Sequence, residues 1–276
     1  MDGHLYQRPQ TLQAALDVLA TGGWRIAAGC TDIFPTTERK QLDGPVLDIT
    51  GIANLRGVSQ DAAGLRIGAA TTWTDIIRAD LPPALDGLKL AAREVGAMQI
   101  QNRGTLAGNL CNASPAADGV PPLLTLDAQI EVQGAAGTRQ IPLDAFITGP
   151  RKTALTATEM VTAILIPQAA LDGRSHFIKL GARAYLVISV AMAAVRVHVE
   201  NGVVTQAAVA VGSCGPVATR LAAVEAALIG KPLSAGAITD DAVRAALAPI
   251  DDIRADAAYR NISAAELVRR TVEALA

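Results

Sequence analysis

"RGTLAGNLCNASPAADG", from Arg103 to Gly119, is built almost entirely from small residues. It has three glycines, four alanines, one arginine, one aspartate and no aromatic residue. A packed core asks for bulk and a solvated loop asks for charge, and this stretch has neither. Removing side chains lets backbone N–H groups approach a bound group closely. A second slim stretch, "AAGCTDIFP" (Ala27–Pro35), follows the short strand pattern "RIAAG" and also carries an aspartate, Asp32. Two such loops facing each other can form concavities of N–H groups for the two phosphates of a pyrophosphate. Asp32 and Asp118 are then placed for ribose or ribityl hydroxyls or ring N–H groups. Neither loop is GxGxxG or a Walker A sequence. Each taken alone reads as well as a tight structural turn, and from the residues both readings stay open.

The rest of the chain narrows the class. Its 276 residues suffice for one large domain or two, and they are 50% apolar but only 3% aromatic, so the core is built from small aliphatic side chains. Net charge is −2 with no basic block, which argues against a nucleic-acid surface. Cys30, Cys111 and Cys214 are too few and too scattered for a disulfide framework or a cluster site, and no metal site is expected. The N-terminus lacks a secretory pattern, and the longest apolar run, Tyr185–Val195, is well short of the ~20 residues that span a bilayer. A cytoplasmic protein without membrane insertion is expected.

Along the chain, "TLQAALDVLATGG" places Leu12, Ala15, Leu16 and Leu19 on one helical face, with Thr11 as cap and Gly22–Gly23 as stop. With strands at "RIAAG" and "VLDIT" it forms a βαβ-like opening. "GLRIGAA" reads as a strand, Thr72 as the cap of a helix with Asp75 in its first turn, and Leu85, Leu88, Ala92 and Val95 as one helical face. "LTLDAQIEVQG", "RQIPL" and "MVTAILIP" read as strands, and Pro167 and "LDGRS" as a boundary. Beyond it, "AAVRVHVENGVVTQAAVAVGS" is a hairpin turning at Asn201–Gly202. Helices follow, the last opening on a Ser263–Glu266 capping box. An antiparallel sheet with helices closes the chain.

The two slim loops also carry a family likeness. "AAGCTDIFP" resembles the first flavin loop, and "IQNRGTLAGNLCNASPAADGVPPLLTLDAQIEV" the second, of the FAD-binding subunits of the xanthine dehydrogenase (molybdenum hydroxylase) family; the likeness continues into "FIKLGARAYLVISVA", "GKPL" and "DDIRADAAYR". The resemblance implies an α+β chain. A two-lobed FAD-binding domain of the vanillyl-alcohol-oxidase (PCMH) type would cover residues 1–168, with lobes about 1–56 and 57–168. A smaller α+β domain with an antiparallel sheet would cover 174–276. It implies that Ala28, Gly29, Cys30, Thr31, Asp32 and Ile33 form the first pyrophosphate loop, and Thr105, Ala107, Gly108 and Asn109 the second. Asp118 would accept from the ribityl chain or ring, and Lys179 would stand near the flavin, where a cation favours the reduced anion. It implies FAD in this chain, with molybdopterin and [2Fe–2S] clusters in a large and a small partner subunit, and electrons leaving to NAD, a quinone, dioxygen or a carrier protein. No residue is expected to act as acid, base or nucleophile.

Cys30 and Ala107 stand where the family usually has glycine, so Cys30 must avoid positive φ if the loop is to be unstrained. Other candidates read as structural: Cys30 and Cys111 as small buried hydrophobes, His198 as an exposed strand residue, Ser213–Cys214 as a loop end. His4 and His176 show no metal spacing. "DDIRADAAYR" reads equally as a solvated loop or a subunit contact. Two further functions stand beside the main one: a stand-alone flavin oxidase of the same fold, which needs acid–base groups over the ring, and a flavin-free scaffold.

Overall fold

Thr11 and the glycines at 22 and 23 bracket the first helix as its sequence dictates. The computed structural model describes residues 6–35, 37, 38 and 42–276. The helix Leu12–Ala20 is capped by the Thr11 hydroxyl, which accepts from the Ala14 N–H at 3.2 Å, and it buries Ala15 and Leu19. It packs beside a small parallel sheet whose middle strand, Val46–Asp48, lies between Tyr6–Gln7 and Arg25–Ala27. The strand expected over "VLDIT" stops at Asp48. That carboxylate accepts from the Thr50 N–H at 2.8 Å and turns the chain into the 3-10 turn Ile49–Gly51.

The second lobe is a five-stranded antiparallel sheet in the order Val58–Asp61, Gly64–Gly68, Glu159–Pro167, Gln129–Gly134, Gly137–Pro142. Its core joins Ile67, Ile130 and Ile164 of the strands to Trp73, Leu88, Leu106 and Leu123 of the helices. Thr72 and Asp75 form a reciprocal capping box at the start of Trp73–Arg78. One expectation fails: "LTLD" is not strand. Leu124 lies in the helix Val120–Thr125, and the strand begins only at Gln129. Pro121 and Pro122 fall in that helix's first turn, where their fixed φ suits the helix and no N–H is missed.

The C-terminal sheet runs Arg174–Leu180, Ala191–Glu200, Val203–Gly212, Thr219–Arg220, all antiparallel. The hairpin turns at Asn201 (φ +52°) and Gly202 (φ +79°), both left-handed, as a type I′ turn requires. His198, expected exposed, is half-buried and lies 3.2 Å from the Glu200 carboxylate. His4 lies outside the described residues. The long helix Ala257–Glu273 covers this sheet, and Val268 and Val272 enter the domain core. It does not start at Ser263, which is buried in its interior. Asp256 caps it, accepting from the Tyr259 N–H at 2.6 Å. Asp256 has the same cap chemistry as Ser263 and comes first, so the helix begins there and draws Arg260 inside. The apolar run Tyr185–Val195 is not one element either: Tyr185 and Leu186 are exposed in a loop, and the strand starts at Ala191.

The C-terminal domain is fastened to the second lobe by a small core of Ala91, Phe177, Met192 and Ala194. Polar ties add to it. Ser175 Oγ accepts from the Gly87 N–H at 2.8 Å, and Arg196 Nε donates to the Thr125 carbonyl at 2.7 Å.

The Glu159–Pro167 strand is pinned at its start by an ion pair. Arg139 donates twice to Glu159 at 2.8 Å, and the Thr156 N–H donates once more at 2.9 Å. Arg139's hydrogen bonds hold the Glu159 carboxyl down at about 2, against the opposing effect of burial. A folded pKa below the unfolded one means stability that is complete above the unfolded value near 4.5 and is lost as pH falls toward 2. Urea unfolding from pH 7 to pH 2 should show Glu159→Gln less stable than wild type at pH 7, with a shallower decline through that window. Parallel pH profiles would show that the pair contributes nothing.

Candidate functional site

The slim loops meet at one cleft of about 1010 Å³, walled by the first lobe, the second lobe and the C-terminal domain. All twelve residues singled out from the sequence line it: Ala28 to Ile33, Thr105, Ala107, Gly108, Asn109, Asp118 and Lys179. The loops touch through their backbones. A Cβ built on Gly29 would lie 2.0 Å from the Arg103 carbonyl oxygen and 2.8 Å from Gly104 Cα, so only glycine allows this approach. A bridge reinforces it: Asn112 Nδ2 donates to Asp32 Oδ1 at 2.9 Å, and Arg151 donates to the Asn112 side-chain and main-chain oxygens.

The second loop becomes the helix Leu106–Asn112. Thr105 Oγ1 accepts from the Gly108 N–H at 3.0 Å, which leaves its own O–H free to donate. Asn109 Oδ1 accepts from the Gly119 N–H at 3.2 Å, which leaves Nδ2 without a partner among the described residues. The N–H groups of Cys30, Thr31, Asp32 and Ala107 likewise find no acceptor among the described residues. Unspent donors gathered on two touching loops suit an anionic group. The residues therefore fit the diphosphate of a dinucleotide; of the two acidic side chains on these stretches, Asp32 already accepts from Asn112 and Asp118 is paired with Lys179.

Two positions depart from expectation. Cys30 does not avoid the left-handed region: its φ is +60°. The loop keeps a conformation that suits glycine while carrying a side chain, whose thiol burial pushes up. Ala107 fits more easily. It is in the first turn of the helix, 3% exposed, and its methyl belongs to the second-lobe core. Cys111, expected buried, is exposed, whereas Cys30 is half-buried.

At the other end of the cleft Asp118 and Lys179 form an ion pair at 2.7 Å, with side chains 9% and 6% exposed. Ser189 Oγ donates to the second carboxylate oxygen, also at 2.7 Å, and Lys179 donates to the Glu94 carbonyl at 3.5 Å. Burial pushes the Asp118 carboxyl up, opposed by Lys179 and Ser189. Each carboxylate oxygen keeps a lone pair for a further donor, but the Lys179 charge is already balanced. The sequence signalled neither this pairing nor Ser189, which sits in the apolar run and depends on the sheet to reach Asp118. Leu186, Val187 and Ile188 also line the cleft without having been foreseen.

Comparisons with known proteins show the family to which the chain belongs. The family described as the FAD binding domain in molybdopterin dehydrogenase matches residues 2–169, and the CO dehydrogenase flavoprotein C-terminal domain matches residues 176–275. The chain belongs to this family of FAD-binding subunits. It is 32% identical over 235 residues to the xanthine dehydrogenase FAD-binding subunit of Escherichia coli O157:H7, covering 83% of this chain and 80% of the relative. It is 34% identical over 215 residues to the nicotinate dehydrogenase FAD-subunit of Eubacterium barkeri, covering 76% and 73%. The fold matches a chain of the carbon monoxide dehydrogenase from Hydrogenophaga pseudoflava that lacks the Mo-pyranopterin moiety. That match has a TM-score of 0.90 and 29% identity, over 98% of this chain and 96% of that one. The protein is thus a flavoprotein subunit of an oxidoreductase of the xanthine and CO dehydrogenase type, with its FAD-binding domain in this chain.

The loop contact gives a test at two adjacent positions. Gly29→Ala should force the loops apart, costing about 1–3 kcal/mol in chemical denaturation and lowering the flavin content of the purified protein. Cys30→Gly should be tolerated at its positive φ, while Cys30→Val should lie about 1–2 kcal/mol below Cys30→Gly. Equal stability for the valine and glycine variants would show that position 30 is not held left-handed.

Proposed function

We propose that this chain holds FAD across the cleft and carries electrons from the [2Fe–2S] clusters of a small partner subunit to an acceptor, within a heterotrimer whose large subunit bears molybdopterin. The observation that supports it most directly is the set of unspent N–H donors on two loops in backbone contact, with a buried carboxylate–ammonium pair at the far end of the same cleft.

In this reading the N–H groups of Cys30, Thr31, Asp32 and Ala107, with Asn109 Nδ2 and the Thr105 hydroxyl, hold the diphosphate. Gly29 contributes by its missing Cβ. Asp118 uses its remaining lone pairs to accept from the ribityl chain or ring. Lys179 places its ammonium toward the reducible end, and Asp118 moderates that charge. FAD bound here supplies the capacity to take up electrons and release them to a different acceptor. The chain's contribution is orientation and electrostatics, and no side chain is required as acid or base.

The partner assignment rests on two supports. The relatives are described as FAD subunits or medium chains of dehydrogenases, and this chain's three cysteines are too few to hold the clusters itself. The acceptor is NAD, a quinone, dioxygen or a carrier protein. Free thiols at Cys30, Cys111 and Cys214 suit the cytoplasm, and no helix among the described residues is long and apolar enough to cross a membrane.

Co-production with the large and small subunits should yield a stable complex with flavin bands, one FAD per copy of this chain, and molybdenum and iron in the partners. A complex that assembles without flavin overturns the reading. Flavin without any metal-bearing partner restores the stand-alone oxidase.

A further inference from the structure

Arg260, within "DDIRADAAYR", is 3% exposed although it belongs to a helix that covers the outside of the C-terminal sheet. A guanidinium buried this deeply is costly unless its charge and its N–H groups are matched. The charge is matched by Asp252, 2.7 Å from Nη2. Asp252 is in turn fixed by the N–H groups of Arg254 at 2.7 Å and Ala255 at 3.3 Å, and these bonds hold its carboxyl down at about 2. Arg260 Nη1 donates to two main-chain carbonyls, Val190 at 2.6 Å and Ser213 at 2.8 Å. Nε has no partner.

The two carbonyls belong to the segments that hold the buried pair of the cleft. Val190 follows Ser189, whose hydroxyl donates to Asp118. The Val190 N–H donates at 2.8 Å to Leu180, the neighbour of Lys179. Ser213, left-handed at φ +63°, donates its N–H at 3.1 Å to the Pro115 carbonyl, three residues before Asp118. One guanidinium therefore grips the loop above Asp118 and the turn behind it. An apolar side chain could fill the same volume without the desolvation cost, but it could not tie two carbonyls of different segments together. This hub lies in the C-terminal domain, while Asp118 and its loop belong to the second lobe. It gives the C-terminal motif a place in the cleft's geometry.

We propose that Arg260, oriented by Asp252, is a positioning residue for FAD binding, acting through Ser189 and Ser213 to fix the Asp118–Lys179 pair. The inference rests on the proposed binding of FAD in this cleft. It is tested on the full chain assembled with its partner subunits, stripped of flavin and titrated with FAD by fluorescence quenching. Asp252→Asn, which keeps size and packing, should weaken FAD binding by roughly three- to tenfold, the effect of one slackened charge-assisted hydrogen bond. Arg260→Lys, which keeps a charge for Asp252 but cannot reach both carbonyls, should do the same. Asp240→Asn, which removes the pairing to Arg269 on the same helix but away from the cleft, should leave affinity unchanged. Ser189→Ala should also weaken binding. The double variant with Asp252→Asn should lose no more than about twofold beyond the weaker-binding single, because both act on Asp118. Wild-type affinity in Asp252→Asn, or losses that multiply in the double variant, overturn the inference. A wild-type complex that takes up no FAD at all overturns the function proposed above instead.

Discussion

Everything in the cleft depends on one backbone approach, Gly29 against the Arg103 carbonyl. With a Cβ 2.0 Å from that oxygen the contact is impossible, so a single missing methyl sets the distance between the first lobe and the second. From that contact the rest follows. The first loop lines the same cleft as Ala107 and Asn109 of the second, and the Asp32–Asn112–Arg151 bridge ties the two stretches together. Small residues are needed at this junction because the loops have to meet through their main chains.

The C-terminal domain closes the far end of the cleft. Its strand Arg174–Leu180 carries Lys179 to Asp118, and its loop carries Ser189 to the same carboxylate. Burial makes that pair a geometric device. A charge pair removed from water is rigid when all its partners are in place and costly when any is missing. The joint of Ala91, Phe177, Met192 and Ala194 between the two domains is thus also the support of the far end of the cleft.

Much of the fold could be read along the chain because its signals are local. Thr11 and Thr72 cap where their side chains reach the third N–H ahead, and Asn201–Gly202 turns because both can take positive φ. The failures are equally instructive. Ser263–Glu266 has the spacing of a capping box, but Asp256 precedes it on a segment that also forms helix, and the earlier cap prevails. "LTLD" alternates like a strand, but two prolines ahead of it open a helix that buries Leu123 and Leu124 instead. Cys30 was expected to escape the left-handed region, yet its loop holds φ +60°, because the contact at Gly29 constrains the backbone beside it more than the Cβ resists.

By itself, then, the amino-acid sequence determined most of the elements, the hairpin and the two slim loops, since caps, turns and stripped side chains act within a few residues of themselves. It also carried the likeness that named the cofactor. Only the tertiary structure decided that the loops touch at Gly29, that Asp118 meets Lys179 across 61 positions, and that Arg260 grips the carbonyls of Val190 and Ser213. Those partners are chosen by how sheets and domains pack, and an ion pair or a shared carbonyl between distant segments leaves no periodic trace in the chain.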